Sequence, residues 1–382
     1  MHLVMIGDIG PIDDMIHIGD EAMFDEAARQ LRRRGVQRIT AISSNTADTA
    51  ERYGVSAVLP LGRGGSAEEL SALIADSDGV LVTGGGNISS VWPSHIVERA
   101  GLARMAEEHG RPFVLSGQTI GPVLSPADRE TVAWMLRSAV LVGTREAASA
   151  SLVTRLGVDA ERTRRTVDDA SFLIDGRETS SPLLDEPYAL VTIARHVGDA
   201  DPELAAAAYA RLLDAAVEQT GLELVFHAHF ASMHGAETNA GDERGDSAVH
   251  AAIAARLRTS RFRVAPTTDV PSSARLARGA DLVISSRYHP AVFAGPGGVP
   301  TIGIPVDEYT EIKLRGALGS FGQGTDGHGS IVSMSELLKA GGGDTVKNVW
   351  AAREQTRDRG IRLADETRPI SEAWWDRVRS AF

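Results

Sequence analysis

The stretch Ser285–Lys313 reads SSRYHPAVFAGPGGVPTIGIPVDEYTEIK. A short apolar run, Asp281–Ile284, feeds it and predicts a buried parallel strand. Arg287 and His289 then fall on a turn where a helix begins, with Pro290 at the first helical position and Ala291–Ala294 behind it. A helix start gathers unpaired N–H groups and a positive dipole end, so it suits an anion. Arg287 adds a planar fork for phosphate or carboxylate. His289 adds a group that gives or takes a proton near neutral pH. A second buried strand, Pro300–Ile304, follows, and then Asp307 and Lys313. One strand–turn–helix–strand unit thus offers an anion seat, a proton donor and a second cation. Taken alone, Arg-x-His reads more readily as a pair of surface residues on an ordinary βαβ unit, and the rest of the chain must decide.

The chain has 382 residues, too long for one ordinary core, which predicts two domains. Hydrophobic residues at 43% and charged residues at 24% describe a soluble globular protein. The net charge of -12 argues against nucleic-acid binding, which needs a basic field. With no Cys there is neither disulfide nor thiolate chemistry. MHLVMIGD enters a strand directly, without the basic start, apolar region and cleavage site of a signal peptide. No apolar run approaches the ~20 residues of a membrane span, so a cytoplasmic protein is expected.

Strands are predicted at His2–Ile6, Arg38–Ile42, Ala57–Leu61, Gly79–Thr83, Pro112–Ser116 and Val140–Val142, with helices between them. Turns are predicted at Gly84-Gly85-Gly86-Asn87 and at Gly117-Gln118-Thr119-Ile120-Gly121-Pro122. After a linker over Asp175–Pro187 the pattern restarts with Ala189–Ala194, a helix at Pro202–Gln219 and Glu223–Ala228. Ala231–Ser247 reads as a mobile loop, and the tail from about Val346 as an Arg-rich helix with Trp374-Trp375 near its end. Alternation of strand and helix means parallel sheets covered on both faces. The expected fold is α/β: two Rossmann-like, doubly wound domains at 1–180 and 187–345, facing a cleft, and a helical tail at 346–382. In such sheets ligands bind at the C-terminal strand ends. The glycine clusters at 7–10, 84–86 and 117–121, Arg145 and the Arg287/His289 turn all fall at such ends.

Several motifs stand in order: Ile18-Gly19-Asp20-Glu21-Ala22, Gly84-Gly85-Gly86, Gly117-Gln118-Thr119-Ile120-Gly121-Pro122, Arg145-Glu146, Asp168-Asp169, and Ser286-Arg287-Tyr288-His289 followed by Asp307 and Lys313. Together they resemble the polysaccharide pyruvyl transferase family over residues 7 to about 313. One departure is His17-Ile18 where the family usually has an asparagine before Gly-Asp-Glu.

The resemblance implies a two-Rossmann-domain fold of the GT-B type, with the acceptor on the N-terminal domain and the donor on the C-terminal one. It implies transfer of the pyruvyl unit of phosphoenolpyruvate (PEP) onto two hydroxyls of one sugar, giving a cyclic ketal in cell-surface glycan synthesis. No cofactor is implied. PEP carries a carboxylate and a phosphate, so Arg287, Arg145 and Lys313 are expected to seat it. His289 is expected to protonate the vinyl carbon, and Arg145 and Arg287 to stabilise the departing phosphate. Asp8, Asp20 and Glu21 are candidates for the base at the acceptor, though Asp20 and Glu21 equally suit a helix N-terminus. Tyr288, Gly85, Gly86, Asn87, Gln118 and His227 complete the expected substrate-binding set. Gln118 as a brace and Arg145 as a partner of Glu146 or Asp169 stay open.

His227 and His229 alternate on one strand face and His234 follows, but no further ligand stands at convincing spacing, and no metal is expected. Trp374-Trp375 either pack back on a domain or touch a membrane that bears a lipid-linked sugar. Self-association is left open. Two other readings remain: a nucleotide-sugar glycosyltransferase or epimerase, for which Glu308 is the only nearby ribose partner, and a non-catalytic ligand-binding protein.

Overall fold

The structure, a computed structural model, describes residues 1–176, 184, 186–232, 244–324 and 330–382. The chain forms two compact units: Met1–Ile12, Asp20–Ala170 and Thr367–Phe382 make the first, Asp13–Gly19 and Ser171–Glu366 the second. Their strands in chain order are β1 (His2–Ile6), β2 (Met15–His17), β3 (Arg38–Ile42), β4 (Ser56–Val58), β5 (Gly79–Val82), β6 (Gly85–Ile88), β7 (Phe113–Ile120), β8 (Leu141–Thr144) and β9 (Thr163–Arg165). They continue as β10 (Tyr188–Thr192), β11 (Glu223–His227), β12 (Phe230–Ser232), β13 (Phe262–Ala265), β14 (Leu282–Ser285) and β15 (Thr301–Gly303).

In the first unit the sheet order is β4-β3-β1-β5-β7-β8-β9, all parallel, with β6 beside β7. β1 is buried along its whole length, as a strand covered on both faces must be. Its side chains alternate. Val4 and Ile6 join one core with Ile96, Leu102 and Val132, while Leu3 and Met5 join another with Phe24, Leu31, Trp374 and Trp375. The chain winds outward from β1 in both directions, to β3 on one side and β5 on the other. The switch point therefore lies after β1 and β5, at Gly7-Asp8 and Thr83-Gly84.

In the second unit the sheet is β13-β11-β10-β14-β15, also parallel. Its switch point lies after β10 and β14, and the Ser286-Arg287 turn occupies it. β2 pairs antiparallel with β12, which explains why Asp13–Gly19 belongs to this unit although it lies near the N-terminus.

Several local expectations change. Gly85–Ile88 is a strand and not a turn, because its backbone pairs with β7 at Gly85↔Gln118 and Ile88↔Ile120. β7 likewise runs on to Ile120, with Gly117 (φ +56°) taking the irregularity in its middle. The helix after β14 starts at Tyr288, with Arg287 as its cap, so Pro290 is the third residue. Ala231 and Ser232 belong to β12, residues 233–243, with His234, lie outside the described residues, and Gly245–Ala254 is a helix. The expected linker falls mostly on 177–183 and 185, also outside them. The final helix, Arg353–Ser380, belongs to the second unit up to Glu366 and to the first from Thr367. Trp374 and Trp375 are buried in the first unit's core, and Trp374 Nε1 donates to Ser116 Oγ at 2.8 Å. Packing therefore wins over membrane contact for both. No described helix is long and apolar enough to cross a membrane.

Candidate active site

Two serines shape the turn at the second unit's switch point. Ser285 Oγ accepts from the Arg287 N–H (3.0 Å) and lies 2.9 Å from the Thr192 carbonyl, while Ser286 Oγ accepts from the Ala194 N–H (2.8 Å). The turn is thus tied to the end of β10. Arg287 leaves it with its guanidinium against Asp246: Nε to Oδ2 at 3.0 Å and Nη2 to Oδ1 at 2.5 Å. Asp246 is fully buried and also accepts from the N–H groups of His229 (3.2 Å) and Phe230 (3.0 Å). Burial pushes its carboxyl up, but Arg287 outweighs that and holds it below the usual carboxylate range. Arg287 Nη1 stands 3.4 Å from His17 Nε2, on β2. Neither Asp246 nor His17 is among the expected site residues. Asp246 sits in a Gly- and Asp-rich stretch whose composition says loop, and only the fold reveals that its carboxylate is turned inward.

His289, the second residue of its helix, is buried against the backbone of Gly19, with Tyr288 and Phe293 rings 5.0 and 5.8 Å away. Lys313 lies over the Tyr288 and Tyr309 rings at 5.2 and 4.5 Å and donates to the Tyr309 hydroxyl. Asp307 does not face Lys313. It caps the helix Glu308–Ser320 and bonds His196 at 3.0 Å. The second unit thus brings Arg287, Tyr288 and His289 together on one turn, with Lys313 on Tyr288. His227 departs from expectation. It is 1% exposed, Nε2 is 2.9 Å from Ser273 Oγ, and burial pulls its pKa to about 4, so it is an interior neutral ring and lines no open surface.

In the first unit Arg145 follows β8 and its side chain is 1% exposed. It pairs with Asp168 at 2.6 Å and donates to Thr119 Oγ1 at 2.8 Å. Asp168 is its nearer carboxylate partner, and Glu146 Oε2 also lies 3.8 Å from its Nε. Asp169, beside it, is pushed up to about 8 by burial and by the Asp168 charge. Gln118 is a brace: its amide donates to the Thr83 and Ser116 carbonyls at 2.6 and 2.7 Å. Glu21 is not an accessible base. It is buried, accepting from the Gly10 N–H (2.8 Å) and the Tyr53 hydroxyl, and burial raises its pKa. Asp20 is half-buried at the start of the same helix. Asp8, at the first switch point, meets Arg99 at 2.9 Å and His95 at 3.1 Å. Burial pushes its carboxyl up, but Arg99 and His95 together hold it well below the usual range, which makes it a weak base. Gly85 and Asn87 are half-buried and Gly86 is buried along β6.

Two parallel doubly wound sheets in one chain, with charged turns at both switch points, define a GT-B-like protein. The solved structures agree. A Listeria monocytogenes protein described as a UDP-N-acetylglucosamine 2-epimerase superposes with TM-score 0.60 at 13% identity, covering 95% of this chain and 90% of that one. Anabaena Alr3699/HepE, in complex with UDP-glucose, gives 0.54 at 15% identity over 97% and 100%. CalG4, the calicheamicin glycosyltransferase, gives 0.55 at 15% over 100% and 98%. At such identities the likeness speaks for the fold alone. No curated protein matches the sequence. The chain belongs to the polysaccharide pyruvyl transferase family, a family of transferases, whose model matches residues 17–308.

Proposed function

We propose that the protein moves the pyruvyl group of PEP onto two hydroxyls of one sugar of a cell-surface glycan precursor. The observation that carries the reading is the second unit's turn: Arg287 fixed by Asp246, His289 two residues on, and Lys313 over the neighbouring Tyr288. Arg287 and Lys313 take the two anionic groups of the donor. His289 delivers a proton to the vinyl carbon, leaving a cationic C2. One sugar hydroxyl adds at C2 and the second displaces phosphate. The two hydroxyl protons replace the one given by His289 and the one taken by phosphate. Arg145, whose charge is shared with Asp168, fixes the end of β8.

The test is calorimetric binding of PEP beside UDP-, GDP- and CMP-sugars, on the wild type and Arg287→Ala. PEP binding that disappears in the variant supports the reading. Nucleotide-sugar binding without PEP binding moves the protein to a nucleotide-sugar enzyme.

A further inference from the structure

The first unit's switch point carries a side-chain group that this chemistry does not use. Asp8 leaves the end of β1, and the helix Pro93–Glu108 brings His95, Glu98 and Arg99 to it. Arg99 Nη2 holds Asp8 at 2.9 Å, its Nη1 holds Glu98 at 3.2 Å, and that same Nη1 lies 3.0 Å from His95 Nδ1. His95 Nδ1 in turn lies 3.1 Å from Asp8. The ring is therefore anchored through one nitrogen. Its other nitrogen, Nε2, has no hydrogen-bond partner among the described residues, and the side chain is 31% exposed. Trp92, 44% exposed, stands edge to face with that ring at 6.5 Å.

We propose that Trp92, His95 and Glu98 form a subsite for a neutral sugar, with Asp8 and Arg99 positioning His95. Three observations carry this. The group stands where a doubly wound sheet binds its ligand, outside the carboxyl ends of the strands at which the order reverses. An exposed indole beside hydrogen-bonding side chains matches a pyranose, which has an apolar C–H face and a polar rim. The charge is wrong for PEP: two carboxylates, Asp8 and Glu98, line the group, and the Arg99 guanidinium is already shared between them. The subsite rests on the pyruvyl-transfer reading only for its purpose, as the place of the acceptor.

The test uses the full chain and a panel of methyl glycosides of neutral hexoses and N-acetylhexosamines. Affinity is measured by calorimetry, and the bound epitope by saturation-transfer NMR. Trp92→Ala and His95→Ala should each weaken glycoside binding about tenfold, the loss of one contact or hydrogen bond. Trp92→Ala should also abolish transfer to the sugar ring protons with its melting temperature at the wild-type value, and PEP affinity should stay at the wild-type value in both variants. Unchanged glycoside affinity in both variants overturns the subsite, and so does a wild type that binds no glycoside at millimolar concentration. If PEP binding fails while glycosides bind through Trp92, the subsite stands and the pyruvyl-transfer reading falls.

Discussion

Gly19 and His289 are in direct contact: a Cβ on Gly19 would lie 1.8 Å from His289 Nδ1 and 2.3 Å from its Cε1. The glycine is needed for space, since its φ lies outside the left-handed region. Two motifs 270 residues apart in the chain are thus one contact, and the ring's position depends on the missing methyl. Gly19→Ala should displace His289 by the width of that group. A misplacement of about 1 Å costs on the order of 100-fold in rate. PEP-dependent phosphate release should fall by that factor in a protein that melts near the wild type. Wild-type turnover in Gly19→Ala would show that the ring can move without consequence.

His289 has its own signature if it is the proton donor. His289→Gln keeps the volume and a hydrogen bond but cannot donate a proton to carbon. PEP affinity should hold within a few-fold while turnover falls about 10²–10⁴-fold. A variant that loses PEP binding and turnover in equal measure would make His289 a binding group instead.

Asp246 predicts an acid-sensitive link. Its folded pKa is depressed, so its contribution is present above the ordinary carboxylate pKa of about 3.9 and is lost as pH falls through the lower folded value. Asp246→Asn removes the charge and strands Arg287, which at 21% side-chain exposure recovers part of its hydration. A loss of roughly 1–3 kcal/mol at neutral pH is expected, below the full cost of breaking a buried pair. The gap to wild type should narrow in acid. Urea unfolding at the two pH values checks it, and a pH-independent gap would contradict the ion pair.

The sheets were legible because their strands are near-continuous apolar runs, as His2–Ile6 and Leu282–Ser285 show. The Arg287 turn was legible because glycine, proline and charge punctuate a strand end. What sequence order could not show is which distant residue closes a contact. Asp246 under Arg287 and Asp168 under Arg145 are tertiary pairings with no local signal. Gly85–Ile88 was unreadable as a strand for the same reason: glycine argues against a strand by itself, and only pairing with β7 overrides it. Glu21 shows the converse, since a motif residue that suggests chemistry is spent on the Gly10 N–H and Tyr53.

Asp169 gives the opposite pH dependence to Asp246. It is buried beside Asp168. Its Oδ2 has no hydrogen-bond partner among the described residues, and the backbone of Gly117 packs so closely that a Cβ there would sit 2.5 Å from Oδ2. Burial and the Asp168 charge raise its folded pKa to about 8, so the folded protein holds a proton that the unfolded chain releases near 3.9. Between these values the native state binds more protons, and stability must fall as pH rises, flattening above about 8. Asp169→Asn carries the neutral form permanently and should lack that slope. At about pH 4 the variant and the wild type should unfold at similar denaturant concentrations, while at about pH 9 the variant should be more stable by a few kcal/mol. If both curves fall together with pH, the proton resides elsewhere in the Arg145–Asp168–Asp169 cluster, and Asp168→Asn should then be the variant that removes the slope.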